Sequence, residues 1–249
     1  MSSLKIILKI TIAFCTVVGI LFGAYRFLTG NIFRIQDIEV ELDNKASYNY
    51  IFPKIKETLD MRMMTLFGQY VWRVDLEKIL KTVESDLRIK DAKITRVLPN
   101  TIHISVSPYT PIANILGKNT KQLYPVARDG EVLPPIAITD APDGTILRGE
   151  NFVKDRELRL SAIELLLALP ESGSLSLKTV SEIYFHKKKG FQLRLQKSGA
   201  EVWMGSDKFA HRVSQAQRVV DYLEREQLTG RISDARYGKK VVVKLKSEL

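Results

Sequence analysis

Residues 89–108, "IKDAKITRVLPNTIHISVSP", alternate apolar and polar side chains on both sides of the turn Leu98-Pro99-Asn100-Thr101. Period-two alternation puts successive side chains on opposite faces of a strand, and a Pro-Asn turn joining two such runs predicts a β-hairpin. Upstream, "VDLEKILKTVESDL" (74–87) predicts a helix with Asp75 as N-cap and Leu76, Ile79, Leu80, Val83 and Leu87 on one face. Before it, "YNYIFPKIKETLD" (48–60) spaces Tyr48, Ile51, Phe52, Ile55 and Leu59 for a second helix, with Pro53 tolerated near its first turn. "FRIQDIEVEL" (33–42) alternates at Phe33, Ile35, Ile38 and Val40, with a slip at Gln36–Asp37 that predicts a bulged strand. The order over residues 31–108 is β-α-α-β-β, a small three-stranded sheet backed by two helices.

The second module occupies residues 109–249. "YPVARDGEVLPP" (124–135) is a hairpin-like stretch turning at Asp129-Gly130. "KDRELRLSAIELLLALP" (154–170) is a helix with Leu158, Ala162, Leu165, Leu166 and Leu169 inward, ended by Pro170. "VSEIYFHKKKGFQLRLQKSGAEVWMG" (180–205) supplies three short strands. "SDKFAHRVSQAQRVVDYLEREQ" (206–227) is an amphipathic helix that Ser206 or Asp207 can cap, with Phe209, Val213, Ala216, Val220 and Leu223 facing the core. "ISDARY" (232–237) and "KKVVVKL" (239–245) close the chain as a hairpin. Consecutive strands with flanking helices make this module α+β on a mostly antiparallel sheet.

At the N-terminus, residues 10–25 hold 16 residues without a charge. With flanks the apolar segment reaches 23 residues, roughly 34 Å of helix, enough to span a bilayer core if Lys9 and Arg26 snorkel. The apolar run is longer than a signal-peptide core and no A-x-A site follows, which favours an uncleaved anchor over residues 10–28. Lys5 and Lys9 place the nine-residue tail in the cytoplasm. Everything after the anchor then lies outside it.

Of 249 residues, 45% are hydrophobic and 27% charged, a globular composition. Cys15 is the single cysteine, which excludes an internal disulfide framework and a Cys-based zinc site. His103, His186 and His211 show no ligand spacing, so no metal or other cofactor is expected. Of the net charge of +10, residues 187–249 carry +8, from 15 Lys and Arg against 7 Asp and Glu. A basic face suits an acidic partner, anionic lipid or nucleic acid, but no nucleic-acid-binding signature accompanies it.

Four stretches together carry a family resemblance: "YVWRVDLEKI", "RVLPNTIHISVSPYTPIA", "VARDGEVLPP" and "ISDARYGKKVVVKL". In this order, behind an anchor, they resemble the FtsQ/DivIB bacterial cell-division proteins, of the short-tailed FtsQ type. The resemblance implies a POTRA domain over residues 31–108 and a β domain over 109–249. It also implies a non-enzymatic scaffold of the division complex, single-pass in the inner membrane with periplasmic domains, concentrated at the septum. The expected partners are FtsB- and FtsL-like single-span coiled-coil proteins. Pro108 stands where the family commonly has Glu, and Leu245 where some relatives have an aromatic.

Past residue 5, catalytic patterns are missing: no Gly-rich phosphate loop, Gly-x-Ser-x-Gly, His-Glu-x-x-His or Ser-x-x-Lys. Ser174-x-x-x-Lys178 is one residue off the last and reads as a loop-to-strand transition. Trp72 and Trp203 sit in strand-like contexts that suit packing more than ligand stacking. The alternative function is an envelope enzyme, or a transport and assembly POTRA protein, acting on the cell wall or on exported polypeptides. For the scaffold, the expected docking edge is the terminal strand: Arg236, Tyr237, Lys239, Lys240, Val241, Val242, Val243, Lys244 and Leu245. A partner segment adds there by β-augmentation, and the lysines select an acidic one.

Overall fold

A helix α1 (Ser2–Leu28) opens the chain, followed by a 3-10 turn at Asn31–Phe33 and strand β1 (Asp37–Leu42). The computed structural model describes residues 2–28, 30–43, 51–117, 122–141, 144–228, 230–238 and 240–245, and within α1 the side chains of residues 11 and 13–26. Among the described residues no helix is long and apolar enough to cross a membrane. Contacts divide the chain into two units, Met1–Tyr109 and Thr110–Leu249.

In the first unit, α2 (Phe52–Met63) and α3 (Leu76–Glu84) precede β2 (Ile89–Val97) and β3 (Thr101–Pro108). The sheet order is β1-β3-β2. β3 is antiparallel to β2 and parallel to β1, with Ile38 opposite Ile102 and Val40 opposite Ile104. Ile102, Ile104 and Val106 of the central strand are fully buried, with Ile55 and Leu59 of α2 and Val83 of α3 in the same core. Asp75 caps α3 as its sequence predicts, accepting from the amides of Glu77 and Lys78 at 2.9 and 3.2 Å.

Two details differ from the sequence pattern. α3 stops at Glu84, so Leu87 lies beyond the helix and is exposed. β1 starts at Asp37, because residues 33–36 bond elsewhere. Ile35 N donates to Gln69 O at 2.8 Å, and Gln36 N to Asn100 O at 3.0 Å. Arg96 then locks the incoming loop, its Nε and Nη2 donating to the carbonyls of Val71 and Val74 at 2.8 and 2.7 Å.

The second unit contains β4 (Pro111–Leu116), β5 (Gln122–Ala127), β6 (Ile136–Ala137), β7 (Thr145–Arg148), α4 (Asn151–Lys154), α5 (Arg156–Ala168), β8 (Val180–His186), β9 (Gly190–Leu195), β10 (Glu201–Gly205), α6 (Phe209–Arg225), β11 (Gly230–Asp234) and β12 (Val242–Leu245). These strands form one nine-stranded sheet in the order β12-β11-β10-β9-β8-β7-β4-β5-β6. Five pairings are antiparallel; β4–β7, β7–β8 and β10–β11 are parallel. α4 and α5 make one parallel crossover and α6 another, as parallel neighbours require.

Phe191 centres the core, with ring centroids 5.0 Å from Phe185, 5.6 Å from Phe209 and 6.5 Å from Phe152. The inward residues expected on both long helices are buried. Arg159 is buried too, its Nε donating to Gly130 O at 2.9 Å and its Nη1 to the carbonyls of Phe152 and Val153. The expected cap of α6 is absent: Lys208, in the left-handed region with φ 52°, holds the cap position without a side-chain bond. Asp207 is instead drawn to Arg212.

Candidate functional site

β12 is one edge of the large sheet, with β11 as its single neighbour among the described residues. In register, Asp234 opposes Val242, Ser233 opposes Val243 and Ile232 opposes Lys244, and Gly230 opposes Leu245 after a bulge. Alternation sends the side chains of this strand to two faces. Val241, just ahead of it, packs partly buried against the core, and Val243 is half-buried; Val242, Lys244 and Leu245 are exposed. Lys240 and Tyr237 are exposed in the connecting turn, and Lys239 lies outside the described residues.

The edge continues into two rows of side chains that cross the sheet. One runs Glu182, Arg194, Glu201, Ile232, Lys244; the other runs Arg148, Tyr184, Gln192, Trp203, Asp234, Val242. Charges alternate along the first, at Glu182, Arg194 and Glu201. Glu182 takes Arg148 at 2.6 Å and Arg194 at 3.1 Å, and Tyr184 donates to it as well. Burial opposes ionisation of Glu182, but the bonds from Tyr184 and Arg148 and the positive charges of Arg148 and Arg194 outweigh it, so its carboxyl titrates below the ordinary value. Burial, then the bond to Glu182, pushes the Tyr184 phenol up.

Trp203 is the pivot nearest the edge. Its Nε1 donates to Glu201 at 3.1 Å, and its ring carries two cations, Lys189 at 4.2 Å and Arg236 at 4.9 Å. Lys189 is positioned by the turn into β9, where Gly190 (φ 74°) abuts the backbone of Gly205 so closely that any Cβ would collide. Arg236 is held by Asp234 through a fork, Nε to Oδ1 at 2.8 Å and Nη2 to Oδ2 at 2.6 Å, with its own amide on Oδ1 at 3.1 Å. Burial works against the Asp234 charge; the hydrogen bonds from Arg236 and the charges of Arg236 and Arg212 prevail, and the carboxyl is held below its usual range.

Of the sequence-predicted residues that are described, 240–245 lie on or just ahead of β12 and Tyr237 in the turn before it, while Arg236 reaches back to Trp203 of β10. Glu182, Tyr184, Arg194, Glu201 and Trp203 carry no motif that marks them as functional residues. Their alternation is visible in "VSEIYFH", "FQLRL" and "EVWMG", but their adjacency depends on register between strands. Ser174 of the Ser174-x-x-x-Lys178 stretch donates to Glu224 of α6. His103, isolated in the sequence, approaches Glu39 and Glu41 of β1, with Nε2 to Glu41 at 3.4 Å.

Residues 53–109 match the profile of the FtsQ-type POTRA domain, and residues 115–237 that of the FtsQ/DivIB cell-division protein C-terminal domain. The chain belongs to the FtsQ/DivIB family of bacterial cell-division proteins. It is 25% identical over 232 residues to the cell division protein FtsQ of Geotalea daltonii, covering 90% of this chain and 80% of that one. It is 29% identical over 130 residues to DivIB of Bacillus subtilis, covering 52% of this chain and 46% of that protein. A solved extracytoplasmic domain of DivIB from Geobacillus stearothermophilus shares 22% identity, with a TM-score of 0.35 over 48% of this chain and 97% of its own. Within the FtsQ/DivIB framework, "RVLPNT" and "ISDARY" acquire physical roles: Arg96 clamps the loop ahead of α3, and Asp234 aims Arg236 at Trp203.

Proposed function

We propose that this FtsQ/DivIB protein is a non-enzymatic scaffold of the division complex that recruits partners by β-augmentation on β12. Residues 1–9 form a cytoplasmic tail and residues 10–28 a membrane anchor. The POTRA domain of residues 31–108 and the β domain of 109–249 stand outside the cytoplasm at the septum. The partners are FtsB- and FtsL-like single-span proteins, met by Arg236, Tyr237 and residues 239–245.

One observation carries this reading: among the described residues β12 is paired on one side only, and its other edge leaves main-chain donors and acceptors for an added strand. Exposed Val242 and Leu245 offer apolar contacts there, and Lys240 and Lys244 favour an acidic segment. Apolar side chains of α1 such as Phe14, Ile20 and Phe22 are exposed, as suits a helix whose surroundings are hydrocarbon.

The test is a proline placed singly at Val242 and at Val243, with capture of the FtsB- and FtsL-like proteins from membranes as readout. Donors alternate between the two edges of an antiparallel strand, so one proline breaks the β11 ladder and the other removes a donor from the open edge. The variant that keeps the β domain folded is expected to lose partner capture, as is Lys244→Glu. Full capture by both folded variants would refute augmentation at this edge.

A further inference from the structure

The first unit carries a surface that the scaffold reading leaves without a use. α1 ends at Leu28 and the 3-10 turn begins at Asn31, so the chain between them reaches at most about 11 Å. That turn is fastened to the segment following α2: Val71 N donates to Phe33 O at 2.9 Å and Gly68 N to Ile35 O at 3.0 Å. Ile32, Met64, Phe67 and Trp72 on these two segments are 40–67% exposed. Phe33 packs on Trp72 at 4.8 Å and Tyr70 stacks on it at 5.5 Å, which makes the aromatic group one body.

The charge at this surface is predominantly positive. Residues 26–35 and 61–74 contain Arg26, Arg34, Arg62 and Arg73 and no carboxylate. Arg34 and Arg73 lie over the Tyr70 ring at 4.9 and 5.3 Å. Arg62, Arg73 and Lys78 line a recess of about 340 Å³ beside Met63 and Leu66. Asp75, also at its rim, spends its carboxylate capping α3. A guanidinium pairs with phosphate through two donors, and Trp and Tyr favour the boundary between hydrocarbon and headgroups.

We propose that this surface docks on an anionic phospholipid bilayer, with Trp72 and Phe67 entering the headgroup boundary and Arg34, Arg62 and Arg73 pairing with lipid phosphates. The proposal rests on the reading of α1 as the anchor, since the short tether is what keeps this surface at the membrane. A patch of exposed apolar side chains with cations around it marks an interaction surface, and the chain's own anchor supplies the bilayer.

The full chain in vesicles of phosphatidylethanolamine and phosphatidylglycerol with brominated acyl chains tests it. Trp203→Phe leaves Trp72 as the reporter, and Trp72→Phe leaves Trp203. Trp72 is expected to shift to the blue and lose most of its emission to the bromolipid, while Trp203 keeps its own. Replacing phosphatidylglycerol by phosphatidylcholine, or Arg34, Arg62 and Arg73 by Gln, is expected to restore much of the Trp72 emission. Protein that resists carbonate extraction but shows Trp72 unquenched overturns the docking and leaves the anchor standing. Protein released by carbonate overturns the anchor, and the docking with it.

Discussion

Asp86-Leu87-Arg88 in the POTRA domain and Asp234-Ala235-Arg236 in the β domain fold into the same local device. In each, Nε donates to Oδ1 at 2.8 Å, Nη2 to Oδ2 at 2.6 Å, and the arginine amide to Oδ1 at 3.1 Å. In each the carboxyl is held below its usual range by its arginine, against burial. Beyond the fork the two copies diverge. Arg88 also donates through Nη2 to Thr58 of α2 at 3.0 Å, and so ties helix to strand. Arg236 lies instead on the ring of Trp203 in β10, two strands in from the β12 edge. One three-residue device thus ties a helix to a strand in one domain and lies on an indole in the other; the neighbours decide which.

That contrast can be broken most forcefully at its inner copy. Asp86→Ala strands a partly buried guanidinium and removes its link to α2, and is expected to cost about 2–3 kcal/mol in denaturant unfolding, with partner capture by the folded protein unchanged. Asp234→Ala leaves an arginine nearer to water. It is expected to cost about 1–2 kcal/mol, yet to weaken binding of the FtsB- or FtsL-like partner segment in titration calorimetry. If the two substitutions had the same effect on binding, the division of roles would fail.

Acid sharpens the comparison through what the copies share. Both carboxyls titrate below their ordinary value, so their stabilisation is fully present above about pH 4 and is lost as pH falls through the depressed values. Asp86→Asn and Asp234→Asn are each expected to flatten the acid limb of a stability–pH profile. The smallest effect should come from lysine: Arg236→Lys keeps the charge but loses the planar fork, for roughly 0.5–1 kcal/mol by thermal unfolding. Arg88→Lys should cost more, because its fork and its bond to Thr58 are lost together.

Much of the first domain is legible in the sequence because its signals are local. The alternation of Ile102, Ile104 and Val106 marks the central strand, and Asp75 marks the start of α3. Leu87 misleads because helical spacing continues past the residue where the chain turns. In the second domain the short strands β4 and β7 leave little trace, since four to six apolar residues without turn punctuation carry little period. The proposed docking edge is visible as "KKVVVKL", but Trp203 and the ion pairs behind it are not.

The amino-acid order alone determined most of the strands and helices, which of their faces are apolar, where the charge accumulates and which family the chain resembles. Each of these depends on neighbours within a few residues, where side-chain period and capping act. Tertiary structure alone decided that β12 ends the sheet, that Arg88 and Arg236 point to opposite fates, and that Ile32, Phe67 and Trp72 share a surface with arginines. Those facts rest on strand order and register between residues tens of positions apart, and no local preference encodes such distances.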